Sequence, residues 1–273
     1  MLIIRFLKLS ISLLVWISDY IYEILYIIIK RKKKTRCVIL YYHSVTDMKR
    51  ESFIRQMDKL LRWAKPVAVN ENISYLNSNH YAGVTFDDGF TSVKKNALPE
   101  LRRRKIPATF FIPANCLGQR PSWIKDTENP CYGEFVMALD QLKQVAMDDL
   151  FSIGSHCLTH RNLTLLDETE AKKEILESKD ILENMLQKEV RILSFPYGVF
   201  DQREVDLAKQ AGYERVFSIL PILAYRDSDE YVTGRVNVSP DDWSLEFFLK
   251  LCGAYRWMPL AFYLKQKFSH IFK

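Results

Sequence analysis

Short apolar runs recur along this chain, each ending in a polar turn and each followed by a stretch with helical spacing. That alternation restricts the possible folds more than any other feature. Residues 38–42, 84–86, 106–112, 151–154, 190–195, 213–219 and 231–238 read as strands, with a shorter one at 66–69. Between them, 52–63 carries Phe53, Met57, Leu60 and Leu61 at helical spacing, and 135–145 is a further predicted helix. Val93, Ala97, Leu98 and Leu101 suggest a helix disturbed by Pro99, and 167–186 sets Ala171, Ile175, Ile181, Leu182 and Met185 against dense charge that reads as a solvated face. Asp201 and Glu204 form a capping box for a helix that Gly212 closes, and 245–251 is the last helical segment. Strands that alternate with helices argue for a parallel barrel whose site lies at the carboxyl ends of the strands. At 273 residues the chain has the length of one such domain.

The chemistry-bearing residues fall at those strand ends. Val84, Thr85 and Phe86 run into Asp87 and Asp88, and Gly89 permits a sharp turn straight after them. Two adjacent carboxylates in a partly dry pocket need a compensating cation or a raised pKa, and a metal is the simplest compensation. His156 and His160, four positions apart, supply nitrogen ligands, on one face of a helix or converging from a loop. Asp87 or Asp88 with both histidines makes a two-histidine, one-carboxylate set; residue types alone do not separate the two acids. A bare Asp-Asp-Gly is usually a solvated turn, and two histidines at this spacing are more often structural. A third strand end, Phe195, Pro196, Tyr197 and Gly198, makes coincidence a poor account. His43 and Ser44 close the first strand in the same way.

At these residues the chain resembles the polysaccharide deacetylases with the NodB homology domain, carbohydrate esterase family 4, over roughly 37–238. The family's first motif is matched from Thr85 to Gly89, its His-x-x-x-His motif at His156 and His160 with cysteine at 157, and its Pro-Tyr-Gly motif at 196–198. The arginine often found two positions before that proline is Ser194 here. Arg235, on the last strand, points to the same end of the barrel and is the candidate to orient the acid instead. The resemblance implies a distorted (β/α)7-type barrel, a divalent metal held by Asp88, His156 and His160, and Asp87 as general base. It further implies an oxyanion donor in the Tyr197 backbone N–H and, as in the exopolysaccharide branch, His43 as general acid. Zinc is the first choice of metal, with cobalt or another divalent ion as alternatives. Pro196, Tyr197 and Trp123 are the substrate-binding candidates; Trp123 and Tyr132, in a long loop at 113–133, suit either sugar stacking or core packing. The implied reaction is hydrolysis of the acetamide of N-acetylhexosamine units in a polysaccharide or membrane-linked glycan, releasing acetate. The opposing reading is a glycan-binding protein that keeps the barrel without turnover, favoured by the missing arginine; a third is hydrolysis of another amide by the same chemistry.

The ends of the chain speak about location. Residues 2–29 are mostly apolar and long enough to span a bilayer, without the small-residue site of a cleaved signal. At roughly 100° per residue, Arg5, Lys8, Ser12, Asp19, Glu23 and Lys30 nevertheless fall in one narrow stripe, so the helix spans with a polar seam, pairs with another helix, or lies in the interface. Six of the seven residues at 30–36 are basic, which suits anionic lipid. Residues 1–36 are thus expected to be a membrane helix with its linker, and 37–273 the catalytic domain with a basic, aromatic tail from about 254. The charge pattern favours a cytoplasmic domain, whereas the resemblance favours an extracytoplasmic one. The net charge of +6 comes largely from the basic cluster and does not argue for nucleic acid. Five scattered cysteines form no paired framework, so no disulfide scaffold is expected.

Overall fold

The computed structural model describes residues 2–30, 35–70, 80–225, 227 and 229–262. The basic run at 31–34, most of the polar connection before the acid pair, and the tail from 263 lie outside the described residues. The elements run α1 (Leu2–Lys30), β1 (Arg36–Tyr42), α2 (Arg50–Trp63), β2 (Lys65–Pro66), β3 (His80–Phe86), α3 (Leu98–Arg104), β4 (Ala108–Ile112) and α4 (Leu139–Ala146). They continue with β5 (Phe151–Ser155), α5 (Glu168–Leu186), β6 (Ile192–Ser194), α6 (Gln202–Gln210), β7 (Arg215–Phe217), β8 (Val232–Thr233), β9 (Val236–Asn237) and α7 (Ser244–Leu251).

The sheet is parallel throughout and ordered β8-β7-β6-β5-β4-β3-β1-β9, with β2 beside β3. The first and last strands of that order are neighbours in sequence. The segment expected as one strand at 231–238 is therefore two: its first half pairs with β7 and its second with β1, and the sheet curls into a barrel across Gly234 and Arg235. A side chain has no room at the break, because a Cβ on Gly234 would lie 2.3 Å from Ile222 Cγ1 and 2.4 Å from the Leu220 carbonyl oxygen. The barrel interior and helix faces are filled by a continuous apolar core in which Tyr42, Phe53, Phe86 and Phe110 adjoin ring to ring.

Other boundaries shift for local reasons. The helix expected at 135–145 starts only at Leu139, because the backbone of the preceding residues is tied to the acid-pair turn: Thr91 N–H donates to Phe135 O and Met137 N–H to Gly89 O, both at 2.9 Å. Pro99 is accommodated in the first turn of α3, after a π-helical turn at Val93–Ala97. The capping box at Asp201 and Glu204 forms as expected, and Gly212 takes φ +78° just past the end of α6. All five cysteines are free.

Helix α1 is the one described helix long and apolar enough to cross a membrane. It packs along α7 and the residues after it, burying parts of Leu9, Leu13 and Trp16 against Leu249, Ala254 and Tyr255. The polar stripe faces the domain. Arg5 pairs with Glu246 at 2.5 Å, Ser12 accepts from Trp257 Nε1 at 2.9 Å, and Asp19 accepts from Arg256 at 2.6 and 2.7 Å.

Candidate active site

Strand β3 delivers the acid pair to the carboxyl end of the barrel, and β1 fixes its height: Asp87 N–H donates to Tyr42 O at 2.9 Å. Asp87 faces Arg235, whose guanidinium donates to both carboxylate oxygens at 2.7 and 2.9 Å. The same guanidinium donates to Thr85 Oγ1 at 3.1 Å, to Ser194 Oγ at 2.7 Å and to Ser218 O at 3.3 Å. Arg235 is completely buried, with Tyr41 and Phe111 rings 4.8 and 5.1 Å from its guanidinium carbon. It stands next to Gly234, in the two-residue break between β8 and β9. Ser194, at the place where the motif arginine usually stands, is thus a hydrogen-bond acceptor for an arginine arriving from the other side of the barrel. Burial pushes the Asp87 carboxyl up, but Arg235, His156 and His43 outweigh it, and the group stays below the usual carboxylate range.

Asp88 turns the other way, at φ +67°. The segment after β5 brings the histidines to it as a loop, with Cys157 at φ +63° and His160 at φ +60°. His156 Nε2 lies 3.6 Å and His160 Nε2 3.1 Å from Asp88 Oδ1. Among the described residues these three form the one cluster of potential ligand atoms, all within 4.8 Å of one another. His156 Nδ1 is 2.7 Å from Ser194 O; a carbonyl only accepts, so Nδ1 carries the proton and Nε2 presents its lone pair to Asp88. Burial holds the His156 imidazole down to about 4, against the pull of Asp87 and Asp88. Burial raises Asp88, yet His160, His43 and His156 bring it to about 2. At neutral pH, then, the unprotonated Nε2 of His156 faces a carboxylate whose Oδ1 is buried without a hydrogen-bond partner. That deficiency is what a divalent cation would fill, and two nitrogens with one oxygen is a donor set suited to one.

A residue read as surface charge holds this loop in place. Glu174 on α5 is buried and accepts from Leu158 N–H at 3.0 Å, from Thr159 N–H at 2.8 Å and from the Thr159 hydroxyl. Its spacing with Ala171, Ile175, Ser178 and Leu182 places it on the inward stripe of the helix, which is the signal that could have found it. The remaining charges of α5 include exposed pairs such as that of Glu170 with Arg161.

The cavity over these groups has a volume of about 450 Å³. His43, Ser44, Trp123, Tyr197 and Gly198 line it, and so do Tyr41, Cys131 and Asn237, which sequence reasoning did not single out. Asn237 becomes visible only through the register that sets it beside Tyr41. Trp123 stacks on His160 with centroids 4.2 Å apart and 16° between planes, so one face of its ring is already used. Tyr197, at φ +59°, edges the same histidine at 4.8 Å and keeps about half its surface exposed. Pro196 is buried beneath that turn and is not part of the cavity wall, and Tyr132 stands outside it.

Acids, histidines and a guanidinium at the open end of a curled parallel sheet define a hydrolase-type centre. The chain belongs to the polysaccharide deacetylase family, whose model matches residues 77–216. It is 26% identical over 223 residues to YxkH of Bacillus subtilis, covering 78% of this chain and 75% of that protein. It is 24% identical over 221 residues to a poly-beta-1,6-N-acetyl-D-glucosamine N-deacetylase of Staphylococcus aureus, covering 74% and 73%. The fold matches the structure of IcaB from Ammonifex degensii with a TM-score of 0.68 at 24% identity, over 80% of this chain and 98% of the other.

Proposed function

We propose that this chain hydrolyses the acetamide of N-acetylhexosamine units in a polysaccharide or membrane-linked glycan, releasing acetate and leaving a free amine. The observation that carries the reading is the adjacency of two differently engaged carboxylates: Asp87 locked to Arg235, and Asp88 open toward two imidazole nitrogens. Asp88, His156 and His160 hold a divalent ion, zinc in the first instance. Such an ion supplies a Lewis acid for the acetamide carbonyl and a water acidified toward neutrality.

The residues divide the remaining work. Asp87, kept ionised by Arg235, accepts the proton of the attacking water on a lone pair the guanidinium leaves free. The Tyr197 backbone N–H donates to the oxyanion as the carbonyl carbon becomes tetrahedral. His43, across the cavity, protonates the departing nitrogen, so the C–N bond breaks to an amine. The exposed part of the Tyr197 ring and the free face of Trp123 meet the sugar. The missing motif arginine was the feature that favoured a binding protein without turnover, and the Arg235–Asp87 pair removes that argument.

We further propose that α1 and the basic run after it attach the chain to a membrane, which sets a glycan made or held there within reach. The test is acetate release from β-1,6-linked N-acetylglucosamine oligomers, the glycan class in the name of the Staphylococcus aureus relative. The full chain in detergent is stripped of metal and reloaded with zinc, beside Asp87→Asn and Asp88→Ala. Zinc-dependent release lost in both variants is expected. A zinc-loaded chain that binds the oligomers but releases no acetate returns the reading to a binding protein.

A further inference from the structure

The membrane attachment proposed above leaves open how α1 meets the lipid, and the helix surface answers that. We propose that α1 lies flat in the interface of an anionic bilayer, with its outer face sunk into the lipid along its length, and does not cross it. The face turned inward is occupied. Contacts to the domain begin at Arg5, with Glu246 and Asp241 O, and Phe6, against Trp243, and continue through Ser12 and Trp16 to Asp19. A helix whose polar side is held by a water-soluble barrel over that length cannot be ringed by lipid while those contacts last. Crossing would require α1 to leave its seam and carry Arg5 and Asp19 into hydrocarbon without their partners, along with Lys8 and Glu23, a placement charged side chains rarely adopt.

The opposite face has no partner in the chain. Ile3, Leu7, Leu14, Ile21, Leu25 and Ile28 are each more than half exposed. They share a sector roughly 60° wide at about 100° per residue. At about 1.5 Å per residue the line is some 38 Å long, more than the roughly 30 Å of a hydrocarbon core and well suited to lying along one. Trp63 and Trp243, half to one-third exposed, flank the helix beside Phe248 and Phe6, the residue type that favours the headgroup level. Six basic residues at 30–36 follow the helix and match an anionic surface. The orientation also places the active site. Arg5 donates to the carbonyl oxygen of Asp241, next to Ser239 and Pro240 of the cavity lining, so the cavity stands near the N-terminal end of α1.

Depth-dependent quenching tests this. Leu7→Cys, Leu14→Cys, Ile21→Cys and Ile28→Cys, all at exposed positions, are labelled with an environment-sensitive fluorophore in the full chain. The chains are reconstituted in vesicles of phosphatidylcholine with phosphatidylglycerol that contain lipids brominated near the headgroup or near the chain end. The unsubstituted chain, with four buried cysteines and one partly buried, serves as the blank. Equal quenching at all four positions, stronger from the shallow lipid, is expected. Deep quenching at 14 and 21 with shallow quenching at 7 and 28 means a spanning helix, and overturns the flat orientation while leaving attachment intact. No quenching at any position overturns attachment and orientation together. Acetate release takes no part in the readout, so failure of the deacetylase reading is separate.

Discussion

Replacing Arg235 by methionine keeps most of the side-chain length and removes the charge, leaving the buried Asp87 carboxylate without its counter-ion, and the Tyr41, Phe111 and Phe217 rings around the lost guanidinium supply no other charge. The cheapest response is protonation. A carboxyl of ordinary value 3.8 forced to stay neutral at pH 7 costs about 1.4 kcal/mol per pH unit, hence about 4 kcal/mol. That figure agrees with the roughly 3–5 kcal/mol expected when one partner of a buried ion pair is removed. The deficit of Arg235→Met should therefore shrink by about 1.4 kcal/mol for each unit the pH is lowered, nearly vanishing around pH 4. Urea unfolding of metal-free full chain in non-ionic detergent, compared between wild type and variant at several pH values, measures it. Adding Asp87→Asn to Arg235→Met should restore much of the lost stability at neutral pH, since both charges are then gone. In zinc-loaded protein, the acid limb of the kcat/KM profile should move to higher pH, and neutral activity should fall at least about 100-fold. A deficit that does not change with pH, or an acid limb that stays in place, refutes the account of Arg235 as the group that keeps Asp87 ionised.

Three other outcomes follow from the same geometry. Glu174→Gln keeps shape but loses charge-assisted bonds to the Leu158 and Thr159 N–H groups; zinc affinity, read by chelator competition, should weaken by about 10–100-fold. The metal-free protein should lose stability as pH falls from 6.5 to 4. In that window His156 and His80, held down to about 4 by burial, stay neutral when folded and gain protons when unfolded, each a loss of about 3 kcal/mol. Asp88 adds to the loss between 3.8 and about 2, and a urea midpoint that stays flat between pH 6.5 and 4 contradicts this. Gly198→Ala should destabilise the Tyr197 turn, because φ is +65° and the new Cβ would sit 2.2 Å from Ile219 Cγ1. Adding Ile219→Ala should relieve the Cγ1 and Cγ2 contacts only, because Ile219 Cβ would itself lie 2.8 Å away, and it leaves the backbone term of about 1 kcal/mol, as a partial recovery in thermal unfolding would show.

The strands, their parallel order and the three motifs at their tips were legible because each depends on local sequence: an apolar run, an acid pair before glycine, a Pro-Tyr-Gly turn. Arg235 was legible as a candidate to orient the acid, but not the geometry by which it does so. Its two bonds to Asp87 depend on a break that splits one apparent strand between both edges of the sheet, and the close approach of Leu220 and Ile222 to Gly234 at that break has no local signature. Glu174 was hidden by the habit of reading charge on an amphipathic helix as solvated, although its spacing put it on the inner stripe. The polar stripe of α1 was visible, but not that α7 supplies its partners, because ion pairs separated by more than 200 positions leave no trace in either segment alone.

Asp88, Cys157, His160 and Tyr197 all stand in left-handed backbone conformations without being glycine. At about 1 kcal/mol each, the centre holds some 4 kcal/mol of local disfavour that the barrel must offset. Selection for heat resistance alone would find its easiest gains at those positions, where glycine or asparagine relaxes the chain. Lineages of this protein kept only for their folded surface would therefore lose these four residues before the scaffold, whereas continued demand for turnover would hold each of the four against a steady drift toward comfort.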